Sequence, residues 1–249
     1  MPLTHAACST HPENIPLADG GLMYAETNLD WIIPEPWNAI SSLAFLVPVF
    51  YWFLKVRHDI KSYPFLIVCM VLLLAGGIGS TLFHGLRTSP LLLMMDVLPI
   101  QFLTVLVSIY FWYKVLPKWH YTIPVIMPFL LARIYIFQFT DTFSAINIAY
   151  FITGVMIFLP ALIFLVKTRF QYAHSLFLGI FFFIVALLFR QYDHEFAAIL
   201  PMGSHWLWHV FGAMGAGYLG AYLYRVNGVE LSKAVTYKEV RTIWQKEKL

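Results

Sequence analysis

His205 and His209 stand in the stretch His205-Trp206-Leu207-Trp208-His209, a spacing that puts both imidazoles on one face of a helix. Such a pair can share one metal ion. A third histidine closes the stretch Ser80-Thr81-Leu82-Phe83-His84, where Ser80 and His84 also share a helix face. Three imidazoles with a fourth position open form the ligand set of a catalytic zinc, whose bound water has its pKa lowered to ~7 and becomes a nucleophile at neutral pH. Asp96 could orient or deprotonate that water, and Ser80 could donate a hydrogen bond to a developing oxyanion. Each group has a plainer use when taken alone. A histidine at the end of an apolar run is commonly an interfacial residue, paired helix histidines also bridge to carbonyls or bind haem, and a serine packs at helix contacts. Arg133, in a further apolar run, is expected to pair with a carboxylate or with backbone carbonyls and takes no role in this chemistry.

The elements that must position these groups are read from hydropathy. Of 249 residues, 60% are hydrophobic and 12% charged, with a mean hydropathy of +0.72, whereas a soluble domain carries about 25% charged residues. Apolar runs are expected near 36–56, 63–83, 90–113, 121–139, 143–166, 173–191 and 204–225, each close to the ~20 residues that cross a ~30 Å hydrocarbon layer. The runs do not alternate as barrel strands would, so the expectation is an all-α integral membrane bundle of seven transmembrane helices. The chain then divides into an N-terminal extramembrane segment (1–35), the seven-helix domain (36–225) and a tail (226–249) of some helical character. Pro48, Pro99, Pro124, Pro128 and Pro160 fall inside runs and predict kinks. The first thirty residues hold Glu13, Asp19, Glu26 and Asp30, no Lys or Arg and no apolar run, so no cleaved presequence is expected. Cys8 is in that polar segment and Cys69 inside an apolar run, so the two are not expected to pair.

Orientation follows from the basic residues. Lys55, Arg57 and Lys61 follow the first run, Lys114 and Lys118 the third, Lys167 and Arg169 the fifth, and the tail adds Arg225, Lys233, Lys238 and Arg241. The alternate connections are poorer, with Arg87 after the second run and Arg190 before the last. The positive-inside rule therefore puts the N-terminus outside and the C-terminus in the cytoplasm. It also brings Ser80, His84, Asp96, His205 and His209 to one membrane face. A net charge of +3, with the basic residues flanking the membrane, argues against a nucleic-acid partner.

Ser80-x-x-x-His84, Asp96 on the following helix and His205-x-x-x-His209 on the last resemble the signature of the seven-helix zinc membrane hydrolases, a superfamily that includes the alkaline ceramidases and adiponectin receptors. Glu35-Pro36-Trp37-Asn38-Ala39-Ile40-Ser41-Ser42 is similar to the stretch that opens helix one in alkaline ceramidases, and Tyr24-Ala25-Glu26-Thr27-Asn28 resembles the segment before it. Asp193, in Phe189-Arg190-Gln191-Tyr192-Asp193, stands where that family has an acidic residue near the end of helix six. The resemblance runs from Tyr24 to Tyr218, its middle matching only as hydrophobic pattern.

The resemblance implies an amidase: zinc on His84, His205 and His209, a water activated by Asp96, Ser80 on the oxyanion, and ceramide cleaved to a sphingoid base and a fatty acid. It further implies calcium held by Tyr24, Glu26, Asn28 and Glu35, hard oxygen ligands that suit the ion. Those acids would otherwise cap the first helix and solvate the outer surface. The chain departs from the family at Met23, acidic there, in a shorter gap from Glu26 to Glu35 that Asp30 could offset, in an interval to Asp96 about one residue longer, and at Arg190-Gln191. Alternative expectations are an ester lipase with the same zinc chemistry and a metal-binding membrane receptor without catalysis. The membrane is expected to be a bacterial inner membrane with the site facing the periplasm, or an endoplasmic reticulum or Golgi membrane with the site luminal.

Overall fold

In lipid every backbone N–H and C=O must find a partner inside its own segment, and the apolar runs do so as helices. The computed structural model describes residues 16–229 and residue 231. Cys8, Glu13, Lys233, Lys238 and Arg241 lie outside the described residues, as does nearly all of the expected tail. Among the described residues the regular structure is helical throughout. The long helices are α1 (Pro36–Val56), α2 (Pro64–Leu86), α3 (Pro90–Val115), α4 (Trp119–Gln138), α5 (Thr142–Lys167), α6 (Ala173–Gln191) and α7 (His205–Val226), with one short helix, Asp193–Phe196, before α7.

Local chemistry explains the boundaries. Proline opens α1, α2 and α3, where its missing N–H is one that no helix would use. Asp141 opens α5, its side chain accepting from Ser144 N at 3.0 Å. Pro48 cannot donate to the carbonyl of Ala44, and the chain just ahead tightens into a 3-10 turn at Leu43–Phe45. The largest shift from the expected spans is at the end of α2, which runs on to Leu86 rather than stopping at 83 and so carries His84 inside the helix.

Six helices, α1 to α6, are long and apolar enough to cross a membrane, which makes this a multi-pass membrane protein. α7 has 22 residues but is not among those six, its sequence given partly to His205, His209, Arg225 and four glycines. The expected seven-span count is thus met in six helices. α6 turns Phe177, Phe181, Ile184 and Leu188 outwards, a stripe at helical spacing that suits lipid rather than water.

The helices form a ring: α1 packs on α2, α2 on α3, α3 on α5, α5 on α6, α6 on α7 and α7 on α1, while α4 rests outside against α3 and α5. One half of the ring is a dry core. Phe111 of α3, Phe164 of α5 and Tyr222 of α7 are fully buried there, with ring centroids 5.8 Å (Phe111–Tyr222) and 6.1 Å (Phe111–Phe164) apart. The other half, some ~20 Å along the axis at 1.5 Å per residue, holds polar groups. Gly79 places two of them, because a Cβ there would overlap the Met95 carbonyl. α2 and α3 therefore meet backbone to backbone beside Ser80 and Asp96.

Candidate metal centre

His84 lies in the last turn of α2, and His205 and His209 occupy the first two turns of α7. Their ligand atoms all fall within 4.8 Å of one another, and all three residues are buried. The ring centroids are 5.4 Å apart for His84–His205, 5.0 Å for His84–His209 and 4.9 Å for His205–His209. This buried set, inside a membrane-embedded bundle, is capable of coordinating a divalent metal.

The groups behind the imidazoles fit that use. Nδ1 of His84 bonds to Oε2 of Glu35, and Nδ1 of His209 lies 2.9 Å from Ser41 Oγ and 3.3 Å from Ser42 Oγ. A carboxylate or hydroxyl on Nδ1 fixes the tautomer and leaves Nε2 free to bind a cation. His205 is stacked on Tyr24 at 3.9 Å, and its Nδ1 is buried with no hydrogen-bond partner among the described residues. An unpaired buried ring nitrogen beside two other imidazoles fits a site built around a cation.

A chain of hydroxyls runs from His209 towards Ser80: Ser41 Oγ pairs with His209 Nδ1 and lies 3.1 Å from Asn38 O, and Ser42 Oγ lies 2.8 Å from Asn38 O and 2.9 Å from Ser80 Oγ. Ser80, Asp96, His205, His209, Tyr24 and Arg190 line one cavity. Five of the groups singled out for chemistry in the sequence, with Asp96 and Ser80 beside the histidines, are thus brought together.

The oxygens expected for calcium are placed differently. Glu26 accepts from the backbone N–H groups of Trp37 (2.5 Å) and Asn38 (2.9 Å) and so closes the open first turn of α1. Burial pushes its carboxyl above the usual carboxylate range. Glu35 takes Thr27 Oγ1 at 2.5 Å as well as His84 and Arg87; burial opposes its ionisation, but His84 and Arg87 outweigh that and hold its pKa low. Asn28 Oδ1 accepts from Asp30 N at 3.1 Å, and Tyr24 lies on His205, burial pushing its hydroxyl pKa up. Among the described residues, the group of three or more His, Cys, Asp or Glu side chains placed to share a cation is the histidine set.

Other partnerships had no signal in spacing. Asp193 Oδ1 accepts from Ser204 N and His205 N at 2.7 Å each, capping α7 where its histidines begin, and Oδ2 accepts from Ala25 N at 2.9 Å. Gly203 makes this possible, with φ +66 and a position where a Cβ would overlap Asp193 Oδ1. Arg87, left-handed at the end of α2, donates to Asp19 at 2.5 Å and to Glu35 and the Leu22 carbonyl. These contacts draw the segment before α1 across the histidines. Arg133 corrects its expectation, because its partner is the side-chain carbonyl of Gln101 rather than a carboxylate or the backbone. The amide was overlooked since Gln101 is one polar group in a long apolar run.

Models of known protein families were searched and none matches the chain; no curated protein matches it either.

Proposed function

We propose that this protein is a zinc-dependent hydrolase of membrane lipids that cleaves the amide of ceramide or a related lipid to a sphingoid base and a fatty acid. What carries this reading is the set of three convergent, buried imidazoles, two of which, His205 and His209, line one cavity with Ser80 and Asp96. A purely structural histidine cluster has no use for that pair.

A zinc ion held by His84, His205 and His209 would polarise a carbonyl and acidify a water. Asp96 orients the attacking water, takes its proton and returns it to the leaving amine nitrogen, the two halves of general acid–base catalysis. Ser80, beside Asp96 in the cavity, offers its one hydroxyl proton to the developing oxyanion. Glu35, Ser41 and Ser42 hold two imidazoles in one orientation. Tyr24 and the segment around it lie over the histidines, which favours entry of a two-tailed lipid sideways, from the bilayer.

In this reading α7 is the seventh span and the N-terminus lies outside. Lys114, Lys167 and Arg225 support the orientation, since they gather at the end of the ring opposite the histidines, donating to Val229 O, Val115 O and Ser175 Oγ at 2.9 Å each. The site then faces the periplasm or an organelle lumen.

The test is hydrolysis of a fluorescent ceramide by the detergent-purified protein, with zinc measured on the same sample and His205→Ala and Asp96→Asn alongside. The expected result is about one zinc per chain, sphingoid base released by the unmutated protein, zinc lost in His205→Ala, and activity down about 10²–10⁴-fold in Asp96→Asn with zinc retained. Ester hydrolysis with ceramide untouched would replace the amidase reading by a lipase one. A protein without metal would overturn the hydrolase.

A further inference from the structure

Two arginines are buried near the histidines, and they are kept in different ways. Arg87, 6% exposed, is surrounded by Asp19, Glu35 and the Leu22 carbonyl. Arg190, in the last turn of α6, is 4% exposed and lines the cavity with Asp96, His205 and His209. Among the described residues its Nε has no hydrogen-bond partner and its guanidinium makes no ion pair. It lies over the rings of Tyr150 at 4.9 Å and Trp208 at 5.9 Å. Aromatic faces hold a cation in place but do not fill its hydrogen-bonding positions.

A buried guanidinium with open donors calls for an anion. Its planar fork matches a carboxylate in bidentate fashion, and Val97, Ile100 and Phe45 beside it give the same cavity an apolar wall for an acyl chain. Asp96 lines the same cavity but makes no ion pair with Arg190, so the guanidinium's hydrogen-bonding positions stay open. We propose that Arg190 receives the carboxylate of an acyl lipid, either the fatty acid that hydrolysis releases or an acidic group carried by the substrate next to its amide. The inference rests on the hydrolase reading for the role of that carboxylate.

The experiment measures binding without turnover. Oleate and oleyl alcohol, neither with a bond to hydrolyse, compete at pH 8 against a fluorescent acyl probe on the purified protein. N-oleoylglycine and N-oleoylethanolamine form a second pair, the intact lipid being verified after equilibration. The acid of at least one pair is expected to bind about 10–100-fold tighter than its neutral counterpart, the range of a charge-assisted bond. Preference for oleate alone identifies the product, and preference for N-oleoylglycine identifies an acidic substrate. Arg190→Gln is expected to erase the preference and Arg190→Lys to keep part of it. Equal affinities in both pairs for the unmutated protein would overturn the proposal whatever the variants do, and so would a preference that survives in a folded Arg190→Gln. A preference without ceramide turnover would keep Arg190's role and remove the amidase; turnover without preference would do the reverse.

Discussion

Replacing Glu35 with Gln leaves an oxygen for Arg87 and Thr27 but removes the charge from the group that orients His84. The expected outcome is zinc affinity weakened by about 10–100-fold, read by competition with a chelating dye, with thermal unfolding confirming that the bundle survives. An unchanged affinity would make Glu35 a partner of Arg87 alone. At this scale the histidines were legible because i and i+4 spacing is a local code, and Ser80 and His84 obey it. Glu35 was not. It lies 49 residues from His84, and a carboxylate ahead of a helix reads equally as a cap, a cation ligand or a solvated charge until its partner is seen. Glu26 shows the same ambiguity resolved as a cap on Trp37 and Asn38.

Two helix contacts can be tested as elements. Gly79→Val would drive a branched side chain into the Met95 carbonyl, with an expected loss of about 1–3 kcal/mol from overpacking and of catalysis as Ser80 and Asp96 separate. Asp141→Ala removes the N-cap of α5 and is expected to cost about 1 kcal/mol in thermal unfolding. Slight burial works against the Asp141 charge, but bonds from Ser144 and Thr140 prevail and hold its pKa below the usual value. That contribution is therefore present above the unfolded carboxylate range and is lost as pH falls through the lowered folded value. Asp141→Asn should flatten this part of the pH–stability curve, and an unaltered acid limb would deny the cap its role. The spans themselves were legible because bilayer thickness sets their length. α7 was read as a seventh apolar run, but its glycines and histidines leave it outside the six helices apolar enough to span. The short helix Asp193–Phe196 had no signal, as it is held by tertiary bonds to Ala25, Ser204 and His205.

For the whole molecule, orientation is the property to measure. In a Cys8→Ser background, where Cys69 is buried, a membrane-impermeant maleimide on intact cells is expected to label Thr88→Cys, between α2 and α3, and to spare Ser62→Cys, between α1 and α2. The reverse pattern would place the histidines on the cytoplasmic side. The ring of helices was not legible in the sequence, since each helix is apolar on most faces and hydropathy does not say which neighbour it takes. The covering role of the segment before α1 was equally hidden, its acids looking like surface charge. That cover has a consequence for biogenesis. Ala25 closes on Asp193, 168 residues later in the chain, a separation that a ribosome at 5–20 residues per second takes roughly 10–30 s to synthesise. Until α7 emerges, Tyr24 has no His205 to stack on, and the early segment is held through Arg87, at the end of α2, by Asp19 and the Leu22 carbonyl. Among the described helices the last made is thus the one that brings His205 against Tyr24 and completes the cover over the site.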